Sequence, residues 1–576
     1  MKYNYVNDHT TEDYQVTDIS WERIFLKFCI ETRRDNAAEF SLRHFERRRR
    51  RRKRDERSSQ IFDMWTFEEL PIIPKRTEDI LGKGGSFELR KYYFVLNVTA
   101  LDGRAFMNNG KWQIQAIVQG EEAFTASVSY DIAYKLDDLS RVFRYDEGKY
   151  SYDVSFDTYS ENSSILSLII HSHFTIENNT WKRRRYVQEA LTLRGKFDRM
   201  YMYSVIEGMR AWYAVAEKLS PKKGNKIMFM TETKPYLWGN LKYIDERMKE
   251  RGLDKDFKVT YSLRNAVGSN KSALSWAQLI TRIAQQDYIF VDDYVPVFGF
   301  IKLTDRTKLI QVWHAGEGFK SVGYSRFGKA GSPFPAGSCH KQYDYVVTGS
   351  ERLVHVYSEV FGLPEENFLP VGMARLDGFL EPETVEHYRN EFYSNHPELE
   401  GKRLILFCPT FRGTDQKVAT YDYDKLDLDR VYEFCGDEYV WAFKMHPFVV
   451  DKPPIPEKYK DRIIDLSKEE NINDLYYVTE IMITDYSSAY FEFALMEKPI
   501  LFYTYDREAY ELIRGVHKSV KGEAPGKVCD TFGELIEALK NKDYEFEKTL
   551  KFRDANFSNY DGKAADKIID TILLDK

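Results

Sequence analysis

Cysteine is scarce and scattered in this chain. Cys29, Cys339, Cys408, Cys435 and Cys529 form no CxxC pair and are odd in number. That excludes a disulfide framework and a structural zinc site, and fits a reducing cytosol. No uninterrupted apolar run approaches the ~18 residues that a membrane span requires, and residues 1–8 lack the apolar core of a signal peptide. Neither a GxGxxG nor a Walker loop is present, which counts against a dehydrogenase or an ATPase. There is no carboxylate cluster with the spacing of a dedicated metal site, so no cofactor is expected beyond an Mg2+ ion arriving with a nucleotide. A net charge of −6 and the lack of a recognised binding motif argue against nucleic acid as a partner.

The chain has 576 residues, too many for one core, and three domains are the natural expectation. Hydrophobic residues at 43% and charged residues at 30% describe a soluble globular protein. Aromatics reach 15%. They suit packing between strands and helices as well as flat contact with polyol or sugar-like ligands.

Residues 1–200 read as a β-rich module, sandwich-like or barrel-like. Trp112, Ile114, Ala116 and Val118 alternate with Gln113 and Gln115, and Tyr150, Tyr152, Val154 and Phe156 alternate with polar residues. Period two predicts strands with one wet face. Within the module, Arg47, Arg48, Arg49, Arg50, Arg51, Arg52, Lys53 and Arg54 are consecutive. Charge this dense predicts an exposed loop or arm suited to an anionic membrane surface, at about 1 kcal/mol per basic residue. A solvated loop with no partner is the alternative. Lys182 to Arg185 form a second basic cluster.

From 201 the texture changes to alternating strands and helices. One series runs to the polar stretch 381–401 and a second follows it. They predict an α/β fold of GT-B type, two Rossmann-like domains (201–395, acceptor side; 396–576, donor side) facing a cleft. Each candidate site residue follows a predicted strand. His314, in Trp313-His314-Ala315-Gly316, titrates near neutrality and could take a proton from an attacking hydroxyl; a histidine bonded to a loop carbonyl is the bland alternative. The neighbouring glycines would let a ligand approach the backbone, and Lys320 could neutralise phosphate. Arg375 could clamp a phosphate or pair with Asp377. Arg412, in Pro409-Thr410-Phe411-Arg412-Gly413, and His446, in Lys444-Met445-His446-Pro447, repeat the pattern. Asp485, Ser487 and Ser488, with Thr484, lie between a strand and a helix read over 489–496. They could cap that helix or, beyond it, complete a cationic, donor-rich floor for a pyrophosphate.

The order WHAGEGFKS, VTGSER, GMARLD, PTFRG, KMHP and TDYSSAYFEFALMEKPILFYTYD resembles the CDP-glycerol glycerophosphotransferase family, which primes and polymerises teichoic acids. The resemblance covers roughly residues 220–576. It implies transfer of a polyol phosphate from a CDP-polyol to a lipid-linked acceptor hydroxyl, with release of CMP, at the cytoplasmic face of the bacterial membrane. By position, His314 is the family's candidate base and His446 its second histidine, near the donor pyrophosphate. Arg375 and Asp377 resemble its Arg-x-Asn/Asp element, and Arg412, Asp485, Ser487 and Ser488 its donor site. The form Trp-His-Ala-Gly-Glu departs from the commoner Gly-Thr-Pro and looks like members acting on ribitol phosphate. Glycerol phosphate is the expected group and ribitol phosphate the alternative. A GT-B glycosyltransferase using a nucleotide sugar and a non-catalytic membrane-bound scaffold are the rivals.

Overall fold

The computed structural model describes residues 10–48, 64–82, 84–101, 107, 110–145, 150–159, 165–174, 193–264, 272–316, 323–325, 339–413, 419–514 and 519–574. The chain divides into two compact units. One comprises residues 1–206, 322–341 and 358–364, the other 207–321, 342–357 and 365–576.

The first unit is built on β1 (Thr10–Glu22), β2 (Phe25–Thr32), β3 (Glu39–Arg48), β4 (Met64–Ile72), β5 (Arg76–Leu81), β6 (Phe87–Asn97), β7 (Gly110–Ile117), β8 (Phe124–Val128), β9 (Arg141–Tyr145), β10 (Tyr150–Tyr159) and β11 (Ser167–Phe174). These form one hydrogen-bonded sheet, in the order β4-β3-β7-β11-β8-β1-β2-β6-β5, with β10 and β9 attached through β11. These strands make a single sheet curled on itself, which fits the barrel-like alternative rather than the sandwich. Phe40 on β3 and Phe94 on β6 have ring centroids 5.2 Å apart. Along the sheet they are five strand spacings apart by the shortest bonded route (β7 also pairs β8), about 24 Å if it were flat. Their contact closes the sheet around one core that also holds Tyr14, Phe28, Trp112 and Tyr152.

The alternation on β10 buries Tyr152, Val154 and Phe156 as expected. On β7 the expected wet face is dry. Gln113 and Gln115 are buried with the apolar set, and Gln115 Nε2 donates to Thr125 Oγ1 at 2.9 Å. Burying an amide is tolerable here because the neighbouring strand supplies an acceptor. Arg47 and Arg48 are the last residues of β3, paired with Trp65 and Met64 of β4, rather than part of a loop. Arg49 to Arg54 and Lys182 to Arg185 lie outside the described residues.

The second unit carries two parallel sheets. The first contains β12 (Lys226–Thr231), β13 (Lys258–Leu263), β14 (Tyr288–Val291), β15 (Lys308–Gln311), β16 (Tyr345–Val347) and β17 (Phe368–Leu369), in the order β13-β12-β14-β15-β16-β17. The second contains β18 (Arg403–Phe407), β19 (Tyr439–Phe443), β20 (Ile463–Asp465), β21 (Thr479–Thr484), β22 (Ile500–Tyr503) and β23 (Lys527–Cys529), in the order β20-β19-β18-β21-β22-β23. Counted within its own series, the second sheet has the 3-2-1-4-5-6 order of a doubly wound sheet, whose ligands sit beyond the strand ends where the order reverses. Near-continuous apolar runs such as Tyr439–Phe443, buried throughout, are what a sheet covered on both faces requires.

The last helix, Ala564–Leu573, follows the second sheet in sequence but joins the core of the first. Ile568, Ile569 and Ile572 pack with Ile227, Phe229 and Leu241. Burying each isoleucine contributes about 1.5–3 kcal/mol. Arg247, on the helix Gly239–Glu250, grips Asp566 with Nε and Nη2, each at 2.9 Å. The two sheets are thus parts of one packed body. All five cysteines are buried free thiols, and among the described residues no helix is long and apolar enough to cross a membrane.

Candidate active site

In the first sheet the order reverses between β12 and β14, so Asp292 and Asp293 sit at the switch point with His314 beside them, just past β15. The His314 ring is held by its Nδ1, 3.0 Å from the Asp292 carbonyl oxygen and 4.0 Å from an Asp293 carboxylate oxygen. A carbonyl can only accept, so Nδ1 carries the proton and Nε2 presents a lone pair. The side chain is 53% exposed. The bond to a loop carbonyl expected of a structural histidine is present, and it also fixes the tautomer that a base needs.

The backbone just before the imidazole is strained. Trp313 has φ of 46°, a left-handed conformation that costs a side chain with a Cβ about 1–2 kcal/mol. It is held there by Gln311 Oε1, which accepts its N–H at 2.9 Å, and by the buried Asn240. Asn240 Nδ2 donates to the carbonyls of Val312 (2.9 Å) and Trp313 (2.7 Å), while its Oδ1 accepts from the Arg375 backbone at 3.0 Å. Burial pushes the Asp292 carboxyl up to about 6, with Thr231 and His314 pulling the other way. Its Oδ1 is enclosed without a hydrogen-bond partner among the described residues.

Arg375 does not pair with Asp377. Its Nη2 donates to the His314 carbonyl at 2.9 Å and to the carboxylate of Glu492, which follows β21 in the second sheet. Asp377 instead holds the start of the last helix, accepting from the backbone of Ala564 and Ala565, both at 2.9 Å, and from Tyr560 Oη at 2.7 Å. The space expected for a ligand at Gly316 is filled by protein: a Cβ there would lie 2.1 Å from Phe491 Cδ1, and one on Gly349 2.7 Å from Phe491 Cζ. The rims of the two sheets therefore meet at His314.

On the second rim, Arg412 is enclosed. Its Nε and Nη2 grip Asp506 (2.6 and 2.9 Å), and Nη1 donates to Asp485 (2.9 Å) and to the Thr410 carbonyl (2.8 Å). Four of its five N–H groups are thus taken. The rings of Tyr421, Tyr486, Tyr505 and Tyr510 lie 5.1–5.4 Å from its guanidinium carbon. Burial works against the charge, but Asp485 and Asp506 outweigh it and keep the pKa well above the ordinary value. With two carboxylates on one guanidinium, Arg412 adds no net positive charge, unlike the cationic floor expected. Asp485 is wholly buried and also accepts from the Thr410 backbone and hydroxyl (2.8 and 2.7 Å), so it ties β18 to β21.

The helix after this turn is short, Ala489–Phe493 continued by a 3-10 turn to Met496. Ser487 Oγ accepts from the Ala489 N–H at 3.2 Å, whereas Ser488 makes no side-chain cap. Thr484 caps nothing; its hydroxyl donates to the Cys408 carbonyl across the sheet at 2.9 Å. His446 is half-buried. Its Nδ1 accepts from the Phe448 N–H at 3.2 Å, which puts the proton on Nε2, and its ring leans on Phe411 and Phe448. Lys320 lies outside the described residues. Among those residues no group of three or more His, Cys, Asp or Glu is arranged to hold a metal.

Sequence reasoning passed over Asn240, Asp292, Asp293, Phe491, Glu492 and Asp506. The strand-end rule that found His314 also reaches the Asp292-Asp293 pair, and Glu492 and Asp506 lie inside a motif already singled out. Nothing in the sequence marks Asn240.

Known proteins resemble this chain over much of its length. The model of the family described as CDP-Glycerol:Poly(glycerophosphate) glycerophosphotransferase matches residues 212–574. The chain is 35% identical over 349 residues to the teichoic acid ribitol-phosphate polymerase TarL of Staphylococcus aureus, covering 60% of this chain and 62% of that one. It is 32% identical over 454 residues to the teichoic acid poly(ribitol-phosphate) polymerase of Bacillus spizizenii, covering 79% and 69%. The solved structure of the wall teichoic acid polymerase TagF shares the fold, with a TM-score of 0.51 and 21% identity over 67% of this chain and 98% of that one. This chain belongs to the CDP-glycerol:poly(glycerophosphate) glycerophosphotransferase family.

Proposed function

We propose that the chain transfers ribitol phosphate from CDP-ribitol to the terminal hydroxyl of a lipid-linked, teichoic-acid-type acceptor, releasing CMP. One observation carries the reaction: an imidazole with Nδ1 anchored and Nε2 available stands where the rims of two parallel sheets meet. The acceptor oxygen attacks the β-phosphorus and its proton passes to Nε2. The bond from that phosphorus to the bridging oxygen breaks, and CMP leaves with the electron pair. Positioning and electrostatics supply most of the rate in such transfers, since the transition state is loose.

In this reading the two sheets are the lobes of a GT-B enzyme, with the acceptor side in 201–395 and the donor side in 396–576. Arg375 offers Nη1 to a donor phosphate, Ser487 and Ser488 line the turn beside it, and His446 stands on the donor side with Nε2 as a hydrogen-bond donor. Asp485 and Asp377 support the frame. Ribitol is preferred to glycerol because relatives matched at 32–35% identity, TarL and TarK of Staphylococcus aureus among them, bear ribitol-phosphate names. The basic run 47–54 would hold the enzyme on the anionic inner face of the membrane, where the acceptor is anchored.

The test is to offer CDP-ribitol, CDP-glycerol and a UDP-sugar to the purified protein with a short lipid-linked acceptor, following CMP release and product mass. Extension by ribitol phosphate is expected. Extension by glycerol phosphate alone would overturn the polyol, and incorporation only from the UDP-sugar would overturn the reaction.

A further inference from the structure

Glu492 is wholly enclosed and stands four residues beyond Ser488 on the short helix of the second rim. A buried carboxylate needs a partner, and this one takes Nη2 of Arg375, an atom that also donates to the backbone carbonyl of His314. Arg375 is itself held without play. Its backbone N–H is bonded to Asn240, and its side chain is only 15% exposed. The adjacent Phe491 fills the space over Gly316 and Gly349, so the helix cannot shift without disturbing the segment that carries the imidazole. The charged groups around His314 are Asp292 and Asp293 at its ring, Arg375 from the turn Ala374–Leu380 at its backbone carbonyl, and Glu492 behind Arg375. Tyr476 and Cys408, which also lie near Glu492, have their ionisation pushed up by burial and stay neutral.

We propose that Glu492 is a positioning residue for the transfer: it couples the donor-side turn to the base, fixing Arg375 on the His314 loop and placing a fixed negative charge that favours the protonated imidazole formed when the acceptor hydroxyl is activated. The inference rests on the reading of His314 as the base. Interaction between Glu492 and His314 is mutual: burial raises the carboxyl's pKa, and Arg375 and His314 draw it back.

The test is Glu492→Gln, which keeps the shape and removes the charge. Losing it leaves the Arg375 charge unbalanced at the His314 backbone carbonyl, so protonation of His314 becomes harder. Its titration, followed by NMR and assigned with His314→Asn, should move down by about one pH unit. In turnover assays the acid limb of the pH profile should shift in the same direction, with kcat down about tenfold and KM for the CDP-polyol within about threefold. An imidazole titration that stays put in a variant whose circular dichroism matches wild type would overturn the proposal. If the amide variant does not fold, Glu492→Asp carries the test, since it draws the charge back by one methylene. A smaller downward shift supports the coupling and an unchanged titration overturns it. The NMR readout needs no turnover, so a wild-type protein inactive on every CDP-polyol would end the proposed function and still leave this coupling to be decided.

Discussion

The two rims of the parallel sheets are built on opposite principles. Around His314 the protein tolerates disfavoured features: a tryptophan at positive φ, a carboxyl pushed up to about 6, and enclosed atoms of Asp292 and Arg375 without partners among the described residues. Around Arg412 the guanidinium itself is matched, by two carboxylates, a carbonyl and four aromatic rings, although the Tyr421 and Tyr505 hydroxyls are enclosed without partners among the described residues. Backbone strain collects at functional sites, and a guanidinium with its charge fully paired gives rigidity. On the proposed function, the first rim is the reactive one and the second the template that holds the donor turn in place.

That contrast can be broken most directly at the base. His314→Asn keeps a polar group of similar reach and removes the lone pair, so the rate of CMP release should fall by about 10²–10⁴ with stability little changed. Turnover within a factor of two would move the reactive role elsewhere. On the template side the damage should be to folding. Asp506→Asn removes one of two counter-charges from a guanidinium only 14% exposed; Asp485 still balances it, so the loss is that of charged hydrogen bonds, about 1.5–3 kcal/mol. Urea unfolding measures it. A loss under 1 kcal/mol would mean that the cage is not rigidly paired.

Asp292 sharpens the comparison through pH. A carboxyl held near 6 in the folded protein, against 3.8 in an open chain, binds more protons folded than unfolded between those values. Its unfavourable contribution is therefore absent below about pH 4, grows through pH 6, and reaches about 3 kcal/mol at neutrality. Asp292→Asn should stabilise the protein at pH 7 by up to that amount, with the difference from wild type vanishing near pH 4, while turnover falls. Equal stability at both pH values would show that the first rim carries no such burden.

How much of this was legible in the residues follows from range. Period and strand-end position are local, so the parallel strands, the turn residues and both histidines could be read directly. What depended on distant partners could not. Gln113 and Gln115 look like a wet face until neighbouring strands cover them. Arg375 and Asp377 are two residues apart, yet each takes a partner more than a hundred residues away, Glu492 and Ala564–Ala565. The final helix reads as part of the second series but completes the core of the first. The curl of the β-rich sheet rests on Phe40 meeting Phe94, which no alternation pattern encodes.

The smallest effect tests whether the two rims act on each other. Gly316 looked like a place for ligand approach, but its missing Cβ is what lets Phe491 in. Adding a methyl there forces the aromatic ring or the His314 loop to move, at about 1–3 kcal/mol. Gly316→Ala should therefore destabilise the protein by that amount in urea. Replacing Phe491 by leucine removes the ring atoms nearest the new methyl, so the double variant should recover part of the loss. Residues in contact show coupling of about 0.5–3 kcal/mol in such a cycle, whereas distant ones add within about 0.5. Strict additivity would mean that Phe491 does not press on the segment bearing the base, and the reactive rim would then keep its strained geometry without help from the template.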